Sequence, residues 1–130
     1  MISLGGSEAQ LTTFVGRGDF TIPEVLDTYS HFVLRAPTRL VLWDLSEAKL
    51  TGDRDDLSLW RLAVTAARLT KGRRTRGKSA IVCSCPEDLG QASALRTYLR
   101  IADYGVLVKE FVHVETARAW LKEEPTEYGS

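Results

Sequence analysis

Few of the residues that small proteins use for covalent or metal chemistry are present. Only two of the 130 residues are cysteine and two are histidine. Two cysteines are too few for a disulfide scaffold. Cys83 and Cys85 stand at i and i+2, on one side of a strand, and such an adjacent pair rarely forms a structural disulfide; reduced thiols are expected. An excess of charge is also missing. The 17 basic and 17 acidic residues leave a formal net charge of zero, which argues against a dedicated nucleic-acid binder. Zero net charge also gives little electrostatic protection against self-association. No apolar run approaches the roughly 20 residues that span a bilayer. Met-Ile-Ser-Leu-Gly-Gly at the N-terminus has no charged region followed by an apolar core, so no signal peptide and a cytoplasmic location are expected. Internal repeats and low-complexity segments are absent.

The composition, 44% hydrophobic and 26% charged, is that of an ordinary globular domain. A single domain over residues 1–124 with a flexible tail at 125–130 is expected. A domain of this size buries about two-thirds of its unfolded surface and needs no metal or disulfide to stay folded.

The chain is organised around Arg39-Leu-Val-Leu-Trp-Asp-Leu45. The continuous apolar run Leu40–Trp43, bounded by turn signals, reads as a strand buried on both faces. Asp44 is expected at its end, with Leu45 to Gly52 leading into a helix. In a parallel α/β sheet the carboxyl end of a central strand is where function usually sits.

The other elements follow in order. Met1–Leu4 and Leu11–Val15 read as a hairpin, with Gly5-Gly6 as the turn and Gly16 and Gly18 ending the second strand. Thr21-Ile-Pro-Glu24 opens a helix with a cap, a first-turn proline and a capping-box acid, and Pro37 stops it. Asp53-Arg-Asp-Asp56 supplies acids for the first turn of a second helix. Its stripe is Leu59, Leu62, Ala63, Ala66 and Leu69, widened by Trp60, Val64 and Ala67, and it ends at Lys71-Gly72. Lys78–Cys85 reads as a buried strand, Pro86 to about Tyr104 as a helix, Val106–Val112 as a strand and Val114–Leu121 as a last helix. The order is ββαβαβαβα. It predicts an α/β fold with a mostly parallel sheet of four to five strands, an N-terminal hairpin and four helices.

Two stretches resemble a known family. Leu40-Val-Leu-Trp-Asp-Leu-Ser46 resembles the third-strand segment of STAS domains. Glu110-Phe-Val-His-Val-Glu-Thr-Ala-Arg-Ala-Trp-Leu121 is similar to the SpoIIAA-like family in its strand-ending phenylalanine, short turn, and helix carrying Ala and Trp-Leu at these offsets. The resemblance implies a STAS-like fold, related in architecture to CRAL-TRIO lipid-binding domains. It also implies a non-catalytic role in binding protein partners or small apolar ligands. One departure stands out. Anti-sigma antagonists carry a phosphorylatable serine in an Asp-Ser-Ser-Gly-type motif after this strand, and ungapped alignment places Gly52-Asp53-Arg54-Asp55 there, without a serine. Thr51 and Ser58 are the nearest hydroxyls, and Ser46 lies earlier.

Each chemical candidate competes with a plainer reading. Asp44, Asp53, Asp55 and Asp56 would make a carboxylate site, but one short stretch supplies them all and helix capping accounts for them. A phosphate on Thr51 would face the adjacent aspartates. Cys83 and Cys85 lie before a helix N-terminus, where a thiol is activated, yet Cys-x-Cys lacks redox spacing and core packing is preferred. His31 is expected mid-helix and His113 as a helix cap. Lys71-Gly-Arg-Arg-Thr-Arg-Gly-Lys78 is a basic loop, with Arg73, Arg74 and Arg76 as a candidate basic surface. It has no interleaved aromatics and fails the phosphate-loop spacing. Trp43, Trp60, Trp120, Tyr98 and Tyr104 are read as mostly core, or as walls of an apolar cavity; an exposed aromatic stripe would instead suggest a dimer face.

The reading is a protein-interaction or regulatory module, without cofactor or metal, working through a loop bearing Asp44, Ser46, Thr51 and Asp53. A homodimer, an unidentified protein partner, no nucleic acid and no transmembrane segment are expected. The alternative is a small apolar or lipid-like ligand in a cavity lined by the second and third helices. A weaker alternative is a cysteine-dependent enzyme.

Overall fold

Five strands and four helices alternate through the computed structural model, which describes residues 1–8, 10–35, 37–72 and 77–123. They are β1 (Ile2–Glu8), β2 (Leu11–Phe20), α1 (Ile22–Arg35), β3 (Leu40–Leu50), α2 (Asp56–Thr70), β4 (Lys78–Cys83), α3 (Pro86–Ile101), β5 (Leu107–Phe111) and α4 (Val114–Lys122). The strands form one sheet in chain order. β1 is antiparallel to β2, and β2 to β5 run parallel. The expected order and mostly parallel sheet are observed. The tail at 125–130 and the basic residues Arg73, Arg74 and Arg76 lie outside the described residues.

Alternation along the strands divides the core in two, because successive side chains leave a strand on opposite faces. Val41, Trp43 and Leu45 join Phe14 and the buried residues of α1, α2 and α3. Leu40, Leu42, Ala80 and Val82 face the other way, against Ala117 and Leu121 of α4. β3 is thus apolar on both faces because helices cover both, as its unbroken apolar run predicted. On the larger side Phe14 packs against Trp43 at 4.8 Å between ring centroids and edge-on to Phe32 at 5.8 Å. On the α4 side Lys78 Nζ donates to the carbonyls of Trp120 (2.8 Å) and Glu123 (3.1 Å) and lies 5.0 Å from the Trp120 ring centroid. A cation is favoured there by the negative end of the helix dipole.

Two expectations about glycine are corrected. Gly5 and Gly6 are not the hairpin turn; they lie inside β1, where the register shifts between Leu4 and Gly6. Gln10, between β1 and β2, is in a turn and takes φ 63°. Gly16 and Gly18 do not end β2 either, for it continues to Phe20. At Gly16 the pairing passes from Val15–Asp44 to Arg17–Glu47, so two β3 residues, Leu45 and Ser46, oppose one β2 residue. This is a β-bulge. A Cβ on Gly16 would lie 2.7 Å from Leu45 Cδ2 and 3.1 Å from Ala48 Cβ, so only glycine lets β3 bulge so close to β2.

The helix starts match their sequence signals with two differences. Thr21 Oγ1 accepts from Glu24 N at 3.3 Å, as a cap should. Glu24 does not complete the capping box: its Oε2 accepts from Ile2 N at 2.6 Å and ties α1 to β1. His113 occupies the N-cap of α4, but its ring makes no capping hydrogen bond. α3 ends at Ile101, earlier than expected, with Asp103 and Gly105 at positive φ.

Candidate functional site

The central strand is longer than its apolar run. β3 continues through Ser46 to Leu50, and residues 47–50 pair with residues 17–20 of β2. Asp44 is therefore not at the carboxyl end of the strand, and Leu45 to Leu50 is not the expected loop. Beyond the bulge, Ala48 and Leu50 turn toward the α1–α3 side, which is why polar residues there remain part of a strand.

The four candidate loop residues consequently fall into two separate pairs. Asp44 and Ser46 are half-buried in the strand, and Asp44 Oδ1 accepts from both Ser46 N (3.2 Å) and Ser46 Oγ (2.6 Å). Thr51 and Asp53 are in the β3–α2 loop. Thr51 donates through its N (2.8 Å) and its Oγ1 (3.3 Å) to Phe20 O, so its hydroxyl is tied back to the sheet. Asp53 is exposed. Asp55 caps α2, its Oδ1 accepting from Ser58 N at 2.8 Å, and bonding to the backbone and side chain of Ser58 holds its carboxyl below the usual range. Asp56 is hydrogen-bonded to Tyr98, which raises the phenol above its ordinary value. These acids thus cap and brace the helix, and among the described residues no group of three or more His, Cys, Asp and Glu could hold a metal ion.

Beside this loop stands an apolar pair that the sequence does not single out. Leu57 is 54% exposed and Trp60 37% exposed. They are three residues apart at the start of α2, a spacing that places them on one helix face. Trp60 packs edge-on against Tyr98 at 5.9 Å, which braces the indole without covering it. From the sequence Trp60 widens the buried stripe; its position on the stripe's border is the only signal that it could face outward.

Under the same helices lies an apolar cavity of about 100 Å³ between the sheet and α1–α3. Its wall includes Tyr29, Leu62, Ile81, Cys83, Asp88 and Ala92. Tyr104 Oη donates to Tyr29 Oη at 2.7 Å, and Tyr29 Oη bonds Thr70 Oγ1, which donates to Ala66 O at 2.7 Å. Asp88 is 5% exposed. Its Oδ2 accepts from Leu50 N at 2.9 Å, while Oδ1 has no hydrogen-bond partner among the described residues. The sequence marks Asp88 as an acid opening α3; its place four residues before Ala92 and seven before Leu95, on the apolar face of the helix, is the signal that separates it from the exposed Glu87.

The two cysteines are separated by the end of the strand. Cys83 is buried in β4. Burial, reinforced by the negative charge of Asp88, pushes its thiol up to about 12, far from the activated thiolate that cysteine chemistry requires. Cys85 is the N-cap of α3, and its Sγ accepts from Asp88 N at 3.4 Å. His31 is remote from both: its exposed ring bonds Asp27 O, four residues earlier on α1.

No family model and no curated protein matches this sequence. Among solved structures the chain is similar to one described as the anti-sigma factor antagonist SpoIIAA in its unphosphorylated form. The likeness covers 95% of this chain and 100% of that one, with a TM-score of 0.50 and 10% sequence identity. The protein therefore has a SpoIIAA-like, STAS-type α/β fold. At this identity the likeness is one of fold. No helix among the described residues is long and apolar enough to cross a membrane.

Proposed function

We propose that this protein is a non-catalytic regulatory module that binds a protein partner through the β3–α2 loop and the first turns of α2. Exposure of Leu57 and Trp60 beside that loop carries the reading, because large apolar side chains grouped at one surface are favoured in the centre of an interface. The acids Asp53, Asp55 and Asp56 would form a polar rim around them. The fold-level likeness to an anti-sigma factor antagonist supports a regulatory role. The buried, protonated thiol of Cys83 speaks against a cysteine nucleophile there.

The partner proposed first is a second copy of the chain, since zero net charge offers no long-range repulsion between copies. A phospho-switch of the serine type has no counterpart at Gly52–Asp55, and the Thr51 hydroxyl is engaged with Phe20 O. Regulation would then come from occupancy of the surface. Light scattering on the eluting protein over a range of concentrations tests the dimer. The native chain is expected as a dimer and Leu57→Asp as a monomer. A native monomer throughout, or a dimer indifferent to Leu57→Asp, would remove the second copy as the occupant.

A further inference from the structure

The outward face of α2 carries more than Leu57 and Trp60, and its charges are sorted by end. Leu59, Leu62, Ala63, Ala66 and Thr70 are buried, so the opposite stripe faces solvent. Asp53 and Asp56 lie at its N-terminal end, and Arg68 and Lys71 at its C-terminal end, all four exposed. Between them stand Leu57, Trp60 and the half-buried Val64. Asp53, Arg68 and Lys71 have no ion-pair partner among the described residues. The helix dipole accounts for acids in the first turn and bases in the last. It does not account for an exposed apolar centre between them.

Resting on the reading of this surface as one where two copies meet, we propose that their α2 helices pair antiparallel about a two-fold axis at the level of Leu62, with Asp53 and Asp56 of each copy meeting Lys71 and Arg68 of the other. The spacing carries the inference. Trp60 and Val64 each stand two residues from that level, Asp56 and Arg68 six, and Asp53 and Lys71 nine, so a single register matches every pair at once. A two-fold contact demands such self-complementarity. In this register Leu57 lies against the half-buried Ala67 and the aliphatic stem of Arg68 in the other copy. Trp60, Val64 and Arg68 are four residues apart and form one ridge of the kind that packs helix on helix. A parallel pairing would instead set acids against acids and bases against bases. Arg61, exposed near the axis, acts on its own copy: Ser58 first, and Arg61 to a smaller extent, hold the Asp55 carboxyl below the usual range.

Charge reversal on the full chain tests the register. One variant carries Asp53→Lys with Asp56→Lys, and a second carries Arg68→Glu with Lys71→Glu. Each alone opposes like charges at both ends of the pair and should dimerise at least about tenfold more weakly than the native chain. Mixed in equal amounts the two variants are complementary again, and native mass spectrometry should show a heterodimer of native-like affinity. A native dimer that either reversal leaves intact, or whose loss mixing does not restore, overturns the antiparallel register while leaving association through Leu57 in place. A native chain that is monomeric throughout removes the underlying reading, and the register with it. Should a reversed copy not fold, the native dimer is titrated with sodium chloride. Its dissociation constant should rise severalfold from about 50 to about 500 mM as the exposed pairs are screened. A constant that stays level or falls overturns the register.

Discussion

Asp88 Oδ2 accepts a hydrogen bond from Leu50 N at 2.9 Å, joining the last residue of the central strand to the first turn of α3. β3 outruns β4, whose pairing with it ends at Leu45–Cys83. Beyond that point the side of β3 facing β4 has no strand to satisfy it, and a buried N–H there needs another acceptor. Asp88→Ala should cost about 1–3 kcal/mol, the usual penalty for stranding a buried backbone donor. Asp88→Asn should keep most of the stability, since its amide oxygen can still accept. Urea denaturation of the three proteins checks both statements.

Two glycine-to-alanine substitutions should act in opposite directions. Gly16→Ala drives a Cβ against Leu45 and Ala48 at the bulge and should destabilise by about 1–3 kcal/mol, as overpacking does. Leu45 is buried and cannot simply swing away. Gly90 lies inside α3, and a Cβ there would meet nothing within 4 Å, so Gly90→Ala should stabilise by about 0.5–1 kcal/mol through helix propensity. Thermal melts of the pair read the contrast.

Tyr29 sits in the middle of the buried hydroxyl chain from Tyr104 to Thr70. Tyr29→Phe removes two hydrogen bonds while preserving the ring. It should lower stability by about 1–3 kcal/mol, because Thr70 and Tyr104 are themselves buried. Tyr104→Phe removes the donor to Tyr29 and leaves the Tyr29–Thr70 bond in place. Chemical denaturation of both variants distinguishes a chain from two independent contacts.

Cys83 should not react with an alkylating reagent in the folded protein at neutral pH, being buried and protonated up to about 12. The same shift makes stability fall with rising pH. Unfolding restores a thiol that ionises near 9.0, so between about pH 9 and 12 the unfolded chain releases a proton that the folded chain retains. The slope from this group approaches about 1.4 kcal/mol per pH unit. Cys83→Ala should show a shallower loss of stability over that window, measured against the native protein in parallel urea titrations.

Most of the fold is legible in the sequence because it rests on local signals. The apolar run at Leu40–Trp43, the stripe from Leu59 to Ala66, the acids before α2 and Pro86 before α3 each mark an element whose period or cap is written in adjacent residues. The errors lie where a distant contact outweighs the local signal. Gly16 reads as a strand terminator until it is set against the bulge at Leu45, and the polar residues after Asp44 read as a loop until β2 pairs with them. The candidate site is harder for the same reason. Asp44, Ser46, Thr51 and Asp53 are close in sequence, but the strand extension separates them into a strand pair and a loop pair. Asp88 is placed on the apolar face of α3 by its spacing, but its partner at the end of β3 is distant in sequence. Exposure of Leu57 and Trp60 depends on how α2 is rotated against its neighbours, which no local pattern states.

The most direct test of the proposed interaction surface is site-specific photo-crosslinking in living cells. A photoreactive residue replaces Leu57, and in a control replaces Leu34, which is 58% exposed on α1. The proposal expects a discrete protein adduct from position 57, whether with a second copy or another chain, that is lost on adding Trp60→Ala and absent from position 34. No adduct from position 57, or the same adducts from both positions, would contradict it.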